Sequence, residues 1–276
     1  MASMRAEALE APETVGQQVS NYQSLMPGII KTIKQFNPKF IVTVGRGSSD
    51  HAANFAKYIF ETQLHLVTAS SAPSIQTIYQ TPLHFKQALV IAFSQSGQSS
   101  DICEVIKNAK THGALTIACV NQTSSPLAEH ADIVIPLFAG QEKAVAATKS
   151  YIATLVSILA LTAYWLEDDD LIAKLFELEA ALTAATQINV HALAAKFFFF
   201  KNTLVLGRGY TFPVALEAAL KFKETCKMHA EAFSWAEVMH GPFALLKKDF
   251  PLLIFGPSDR ARSWRFAQGY LKKTGD

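Results

Sequence analysis

The amino-acid sequence predicts an α/β fold with two tandem, doubly wound parallel sheets, each covered by helices. Two observations support this prediction. Strand-like apolar runs alternate with helix-like amphipathic runs along the chain, which is the order that a parallel sheet requires. A glycine turn at residues 43–47 (TVGRG) also returns at residues 205–209 (VLGRG), so that Gly45 corresponds to Gly207 at an offset of 162 residues.

The same offset aligns further parts of the two copies. Residues 90–93 (VIAF) correspond to residues 252–255 (LLIF), and residues 110–113 correspond to residues 272–275. Each copy therefore runs strand, loop, helix, strand, loop, helix, and a connecting helix is expected between them at residues 171–186.

The first copy has the clearest elements. A continuous apolar run predicts a buried strand at residues 88–93, and apolar residues with helical spacing predict a helix at residues 101–112. Strands at residues 115–120 and 132–136 and a helix at residues 146–166 follow. The alternation is typical of a parallel sheet with crossover helices.

The repeat also sets the expected domain boundaries. We expect an N-terminal helical segment over residues 1–36, a first sheet domain over 37–167, connecting helices over 168–199 and a second sheet domain over 200–276. The second copy stops at the residue that corresponds to Ala114, before the later strands of the first copy. We therefore expect that the C-terminal part of the second domain is missing or that something else completes its sheet.

Composition excludes several classes of protein. With 276 residues, half of them apolar, the chain can bury a large core. Basic and acidic residues are mixed and the net charge is +2, so the sequence has no nucleic-acid footprint. The N-terminus lacks a signal-peptide core, and the apolar stretch at residues 152–166 is too short and too interrupted for a bilayer span. We expect neither a nucleic-acid partner nor a membrane.

The three cysteines predict neither a disulfide framework nor a metal site. Cys119 falls in an expected strand, and Cys103 and Cys226 fall in expected helices, none of them at metal-ligand spacing. We therefore expect reduced thiols in a cytoplasmic protein, with no metal and no cofactor.

The most informative segment is the serine loop, residues 94–99 (SQSGQS), between an expected strand and an expected helix. Backbone N–H groups in the first turn of a helix have no intrahelical partner, and the helix dipole favours an anion there. Ser94, Ser96 and Ser99 add hydroxyl donors, and Gly97 allows close approach of the backbone. These residue types predict a monophosphate site, and the alternative is a serine-rich turn with an N-cap.

The second copy has diverged at the equivalent positions. Residues 256–259 read GPSD, so the hydroxyl pattern is lost and Asp259 would repel a phosphate. A dense polar helix is expected at residues 217–231, with Lys221 and Glu224 three residues apart on one face. The two copies are therefore expected to have different tasks.

His240 precedes a glycine and a proline, which predicts that its ring lies exposed on a bend. Histidine titrates near neutral pH, so an exposed ring can act as an acid or a base. From the residues alone, a solvated charged helix and an ordinary loop histidine remain the simpler interpretation of this region.

Several motifs, in order, resemble the SIS (sugar isomerase) family over nearly the whole chain. They are FSQSGQS at residues 93–99, EKAVAATK at 142–149, LGRG at 206–209, ALEAALKFKE at 215–224, HAEAF at 229–233 and HGP at 240–242. These motifs resemble those of the isomerase half of glucosamine-6-phosphate synthase and of free-standing relatives of that half. The resemblance implies two tandem SIS-type, flavodoxin-like domains and an enzyme that acts on a phosphorylated amino sugar.

The resemblance also implies which residues of the first copy bind the substrate. The phosphate is expected to contact Ser94, Gln95, Ser96 and Ser99, and the sugar is expected to contact Gly47, Ser48 and Ser49. The open sugar chain is expected to contact Val145, Ala147 and Thr148, with Ala147 at a position that the family usually fills with serine.

In the second copy the resemblance implies acid/base groups. Glu224 corresponds to the family's proton shuttle, Lys221 to the lysine that supports it, and His240 to the ring-opening histidine. Relatives take this histidine from the other subunit, so we expect a homodimer with its sites near the interface. One carboxylate placed over two adjacent carbons can move the proton of an aldose–ketose shift.

The expected reaction follows from what precedes the isomerase unit. No glutamine-hydrolysing domain is present in the sequence, so we expect release of ammonia rather than its incorporation. The expected activity is that of a glucosamine-6-phosphate deaminase, which yields fructose 6-phosphate and ammonia. The alternatives are a deglycase, a plain phosphosugar isomerase, and a non-catalytic sugar-phosphate sensor that would need neither Glu224 nor His240.

Overall fold

The computed structural model describes residues 4–247 and 250–256. The chain divides into two compact units, residues 1–188 and residues 189–276. Each unit contains one parallel β-sheet.

The first unit is an open parallel sheet with helices on both faces. Its strands are β1 (Phe40–Val44), β2 (Thr68–Ser70), β3 (Ala88–Ser94), β4 (Leu115–Val120) and β5 (Ile133–Pro136). Its helices are α1 (Met4–Leu9), α2 (Ala11–Phe36), α3 (Ser48–Ile59), α4 (Ser74–Thr77), α5 (Ser100–Thr111), α6 (Pro126–His130), α7 (Lys149–Leu166), α8 (Asp169–Leu175) and α9 (Leu178–Thr186). The strand order is β2-β1-β3-β4-β5 and all neighbours are parallel, as in flavodoxin-like sheets.

Strand β3 lies at the centre of this sheet and is buried along its whole length. Leu89, Ile91 and Phe93 pack against one layer of helices, whereas Val90 and Ala92 pack against the other. Successive side chains of a strand point to opposite faces, so a strand covered on both faces must be apolar at consecutive positions. This explains the uninterrupted apolar run in the sequence.

Helix α5 confirms the spacing predicted for it. Ile102, Val105, Ile106 and Ala109 are all buried, and they pack on the same face of the sheet as Val90. Because α5 follows β3 directly, its first turn lies beside the carboxyl end of the central strand.

Helix α7 has 18 residues and a mean hydropathy of 1.3, so by length and composition it could cross a membrane. The apolar stretch at residues 152–166 belongs to this longer helix, which begins at Lys149. Inside this unit, however, 61% of the stretch is buried, in contact with α2 and α3. A helix in the core of a folded unit meets the same criteria.

The stretch after α7 differs from the expected single helix at residues 171–186. It forms two helices, α8 and α9, which are interrupted at Phe176 and Glu177. Helix α8 begins directly after Asp168. Oδ1 of Asp168 accepts a hydrogen bond from the Leu171 N–H at 2.9 Å. Asp168 therefore acts as an N-cap.

The second unit has a smaller parallel sheet with the order β7-β6-β8. Its strands are β6 (Asn202–Gly207), β7 (His229–Ser234) and β8 (Leu252–Ile254), and its helices are α10 (His191–Phe197), α11 (Phe212–Cys226) and α12 (Trp235–Val238). Asp259, which was expected to repel a phosphate, and residues 272–275, which were expected to correspond to residues 110–113, lie outside the described residues.

The polar helix expected at residues 217–231 is shorter than predicted. Helix α11 ends at Cys226, because Lys227 adopts the left-handed conformation with φ of 51°. The following residues form β7, in which His229 and Glu231 are exposed and Ala230 is buried. This alternation with a period of two is typical of a strand and not of a helix.

A buried polar cluster joins α2 to α7 and to the end of β5. The hydroxyl of Tyr22 donates to the carbonyl oxygen of Pro136 at 2.8 Å and lies 2.7 Å from Oγ of Ser157. Nε2 of Gln18 donates to the Tyr22 hydroxyl at 2.9 Å and to the carbonyl oxygen of Ala153 at 2.8 Å. Burial raises the pKa of Tyr22 far above its ordinary value, so the phenol stays protonated.

We predict that Tyr22→Phe destabilises the protein, because it removes the donor to Pro136 and leaves buried polar groups without a partner. The expected loss is about 1–3 kcal/mol in the free energy of unfolding, measured by urea denaturation. Tyr79→Phe is the matched control, because Tyr79 is 73% exposed. Equal stability of the two variants would contradict the role of this cluster.

Candidate functional site

The serine loop lies at the point where the strand order of the first sheet reverses. Strands β1 and β3 are neighbours, while β2 continues the sheet on one side and β4 on the other. The loops that leave the carboxyl ends of β1 and β3 therefore border a crevice, which is where open α/β sheets bind ligands. The serine loop follows β3, and residues 45–49 follow β1.

The serine loop is shaped by its own side chains. Oγ of Ser94 accepts a hydrogen bond from the Gly97 N–H at 3.0 Å, and Oγ of Ser96 accepts one from the Gln98 N–H at 3.3 Å. Because both oxygens act as acceptors here, their hydroxyl protons stay available for an anion. Ser99 is the extended N-cap residue of α5 and makes no side-chain capping bond, so its hydroxyl does not occupy the first turn.

Gly97 is required by the local geometry of the loop. Its φ of +64° lies in the left-handed region, and a Cβ there would lie 2.0 Å from Oγ of Ser125. Ser125 is 1% exposed and caps α6 by accepting from the Ala128 N–H at 3.4 Å. The serine loop therefore rests directly on the start of α6.

An ion pair joins the loop after β1 to helix α5, which follows the serine loop. Nε of Arg46 donates to Oδ2 of Asp101, in the first turn of α5, at 2.9 Å. Ser48 and Ser49, which are expected to contact the sugar, form the first turn of α3. Burial raises the pKa of the neighbouring Asp50 carboxyl above its ordinary value, against the opposing charges of His51 and Arg46. We did not single out Arg46, Asp50 or Asp101 from the sequence.

Asn121 connects the serine loop to a third segment, the 140s loop (residues 139–148). Its backbone N–H donates to the carbonyl oxygen of Gln95 at 3.2 Å. Its side chain donates from Nδ2 to the Gly140 carbonyl oxygen at 2.7 Å and accepts at Oδ1 from the Ala139 N–H at 2.9 Å. Asn121, which was not predicted from the sequence to take part in the site, thus positions both loops.

The 140s loop ends in a carboxylate cap. Glu142 accepts hydrogen bonds at Oε1 from the Thr148 N–H at 2.9 Å and from the Thr148 hydroxyl at 3.2 Å, and its Oε2 accepts from the Ser150 hydroxyl. A carboxylate at the N-terminus of α7 is favoured by the helix dipole. Of the three residues expected to contact the open sugar chain, Thr148 is buried, Ala147 is half-buried and Val145 is 96% exposed.

In the second unit, α11 carries the expected pair of charged residues. Nζ of Lys221 lies 2.6 Å from Oε2 of Glu224, which confirms that they share a helix face. A second carboxylate, Glu217, lies one turn earlier at 3.1 Å from the same Nζ, and it is only 6% exposed. Glu217 was not among the residues expected in the site, although its i,i+4 spacing from Lys221 is typical of paired charges on a helix.

His240 is exposed in the turn after α12, as the sequence predicted. Its backbone N–H donates to the Glu237 carbonyl oxygen at 2.8 Å, and the next residue, Gly241, has a φ of +136°. Only glycine adopts such a backbone conformation readily. Glu224, Lys221 and His240 all belong to the second unit, whereas the serine loop and the 140s loop belong to the first.

The described residues contain no group of three His, Cys, Asp or Glu side chains that could hold a metal ion. The three cysteines are free, with Cys103 and Cys119 buried and Cys226 exposed at the end of α11. Burial raises the pKa of the Cys119 thiol to about 12 and also raises that of Cys103.

Comparison with protein families gives one match over most of the chain. The SIS domain family model matches residues 36–164 and 200–275. The chain is 33% identical over 260 residues to glutamine–fructose-6-phosphate aminotransferase (isomerizing) of Aquifex aeolicus, covering 93% of this chain and 43% of that protein. The chain thus spans less than half the length of this curated relative.

Solved structures show the same fold. A candidate phosphosugar isomerase of Silicibacter pomeroyi DSS-3 is 39% identical with a TM-score of 0.92, covering 98% of this chain and 83% of that one. The C-terminal domain of glucosamine-fructose-6-phosphate aminotransferase from Francisella tularensis is 26% identical with a TM-score of 0.82, covering 98% and 80%. A glucosamine-6-phosphate deaminase of Thermotoga maritima has a TM-score of 0.69 at 22% identity, covering 95% and 82%, and shows likeness of fold alone.

We predict that Gly97→Ala destabilises the first unit more than Gly140→Ala does. Both glycines have nearly the same φ, +64° and +63°, so both substitutions carry the backbone cost of about 1–2 kcal/mol. Only at Gly97 does the new methyl group collide with a buried side chain, since the nearest atom to a Cβ at Gly140 is 3.9 Å away. Equal urea midpoints for the two variants would contradict the close contact with Ser125.

Proposed function

The chain belongs to the SIS domain family, and from that premise we propose that it is a phosphosugar enzyme that converts glucosamine 6-phosphate into fructose 6-phosphate and ammonia. The observation that carries this proposal is the cluster on α11, where Lys221 lies between Glu217 and Glu224. A sensor of sugar phosphates needs an anion site but has no use for a carboxylate and an ammonium group held together on one helix face.

The proposed phosphate site is the serine loop. A phosphate there would accept hydrogen bonds from the hydroxyls of Ser94, Ser96 and Ser99 and from backbone N–H groups at the start of α5, with Gln95 beside them. The side chain of Asp101 is paired with Arg46, which partly offsets its negative charge beside that anion. The phosphate is remote from the reacting carbons, so it contributes binding and orientation rather than chemistry.

The proposed sugar contacts come from the two other loops of the first unit. Gly47, Ser48 and Ser49 would line the sugar at the carboxyl end of β1. Val145, Ala147 and Thr148 of the 140s loop would contact the opened chain. Both the N–H and the hydroxyl of Thr148 donate to Glu142, which sets the position of this residue at the end of the loop.

The proposed chemistry begins with opening of the sugar ring. His240 would accept the proton of the anomeric hydroxyl and return a proton to the ring oxygen, which leaves an aldehyde at C1. An exposed ring on a turn suits this task, because it can approach a substrate from the side. We propose that a second copy of the chain supplies His240 to the site, as in the relatives that the sequence resembles.

The proton transfer follows on the open chain. Glu224 would remove the proton from C2 and deliver it to C1, while O1 gains a proton and the C2 amino group loses one. The C1–O double bond is thereby replaced by a C2–N double bond, which gives a C1 hydroxyl and a C2 imine. Lys221 would stabilise negative charge that develops on the substrate oxygen. Water then adds to the imine carbon, ammonia leaves, and fructose 6-phosphate is formed.

The two sheets support a second part of the proposal, which is that the chain is a tandem repeat. Strands β7, β6 and β8 have the same spatial order as β2, β1 and β3, and two segments match the family model. We propose the boundaries given above, with a first SIS domain over residues 37–167 and a second over residues 200–276. A cytoplasmic homodimer is part of the same proposal.

We predict that Ser94→Ala combined with Ser96→Ala weakens binding of glucosamine 6-phosphate more than it lowers kcat. Each lost hydrogen bond to a charged group should cost roughly 1.5–3 kcal/mol, in the ground state and the transition state alike. Isothermal titration calorimetry gives the Kd, and Ser100→Ala, which changes the next serine outside the loop, is the control. An unchanged Kd would place the phosphate elsewhere.

We predict that wild-type protein releases ammonia from glucosamine 6-phosphate and that Glu224→Gln lowers kcat by about 10²- to 10⁴-fold. The amide keeps the shape of the side chain but cannot shuttle a proton, so folding and Kd should change little. Glu231→Gln removes an exposed carboxylate of the same unit and should retain full activity.

Other outcomes of this assay identify the alternatives. Interconversion of phosphosugars without ammonia would indicate a plain isomerase, and turnover only of an amine-linked sugar phosphate would indicate a deglycase. Binding of sugar phosphates without any turnover would indicate a sensor.

A further inference from the structure

Glu7 of α1 is buried against the 140s loop. The residue is only 4% exposed, and its carboxylate accepts a hydrogen bond at Oε1 from the Lys143 N–H at 2.6 Å and at Oε2 from the Ala144 N–H at 3.1 Å. Hydrogen bonds from N–H groups to an ionised carboxylate are among the stronger ones in proteins. The two N–H groups directly precede Val145, which is 96% exposed.

Glu10, three residues after Glu7, holds the other end of the loop. Its Oε2 lies 2.5 Å from Nζ of Lys149, the first residue of α7, and the Lys149 side chain is only 4% exposed. A buried ammonium group needs such a partner, because an unpaired charge in the interior is costly. The N-terminal residues thus hold the loop both before and after its three expected substrate contacts.

Two further side chains hold the 140s loop on either side of the three expected substrate contacts. Asn121 fixes the start of the loop through Gly140, and Glu142 fixes its end through Thr148. The loop contains no helix or strand, so these side chains carry the hydrogen bonds that regular structure would otherwise provide. Glu7 is the group that holds the middle of the loop.

We propose that Glu7 is a positioning residue, which sets the backbone around Val145 for the open sugar chain and does so without touching the substrate. Glu10 supports it by fixing Lys149. This role rests on the proposed function, since the 140s loop is a substrate contact only if the chain handles a phosphosugar. The chemistry requires a fixed loop, because displacing a substrate contact by about 1 Å can cost on the order of 10²-fold in rate.

The test compares Glu7→Ala, Glu7→Gln and the control Glu13→Ala in the full chain. Glu13 is an exposed carboxylate in the first turn of α2, and its side chain accepts from Gln17 rather than from the 140s loop. The first measurement is amide hydrogen exchange of Lys143 and Ala144 without any ligand. We expect exchange there to rise about 10- to 100-fold in Glu7→Ala, because both bonds to a charged acceptor are lost.

The second measurement separates turnover from phosphate binding. In Glu7→Ala we expect kcat to fall by about 10²-fold, while the Kd for inorganic phosphate stays within about twofold because the serine loop is held by other contacts. Glu7→Gln should lie between wild type and Glu7→Ala, since its carbonyl oxygen can replace one of the two acceptors. If Glu7→Ala does not fold, Glu7→Gln carries the test, and Glu13→Ala should match wild type throughout.

Several results would overturn the proposal. Unchanged exchange at Lys143 and Ala144 would show that Glu7 does not hold the loop. Faster exchange with unchanged kcat would show that the loop does not need to be held, and faster exchange across the whole unit would show a general loss of stability. Absence of turnover in the wild-type protein would refute the proposed function itself. The wild-type protein is therefore assayed before any variant is compared with it.

Discussion

Strand β3 has a layer of helices on each face and a parallel neighbour on each side, and most of the first unit depends on this arrangement. The side chains of β3 are apolar until its last residue, Ser94, so its first polar residues appear together at its carboxyl end. Those residues are the serine loop. The reversal of strand order between β1 and β3 then keeps the space beyond that end free of crossing chain.

The loops around this crevice are irregular in backbone but fixed by side chains. Asn121, Glu142 and Glu7 each take up backbone N–H groups that no strand or helix could pair. Two of the three acceptors are carboxylates, which hold an N–H group more strongly than a neutral oxygen does. A loop built in this way can place a residue such as Val145 fully in solvent and still hold its backbone in one conformation.

The sequence predicted those parts of the fold that depend on local periodicity. The run at β3, the spacing of Ile102 and Val105 in α5, and the shared helix face of Lys221 and Glu224 are all properties of one segment. The contacts of Glu7 with the 140s loop could not be predicted, because they join residues more than 130 positions apart. The end of α11 was missed for a local reason, since a lysine in the left-handed conformation carries no recognisable stop pattern.

The distribution of thiols has a practical consequence for anyone who studies this chain in solution. Cys103 and Cys119 are buried with raised pKa values, which leaves them as slowly reacting thiols, whereas Cys226 is exposed. A maleimide dye would therefore attach at one position, at the last residue of α11 and two residues beyond Glu224. The native chain thus carries its own attachment point for a fluorescent reporter beside the charged cluster, without any cysteine having to be introduced or removed.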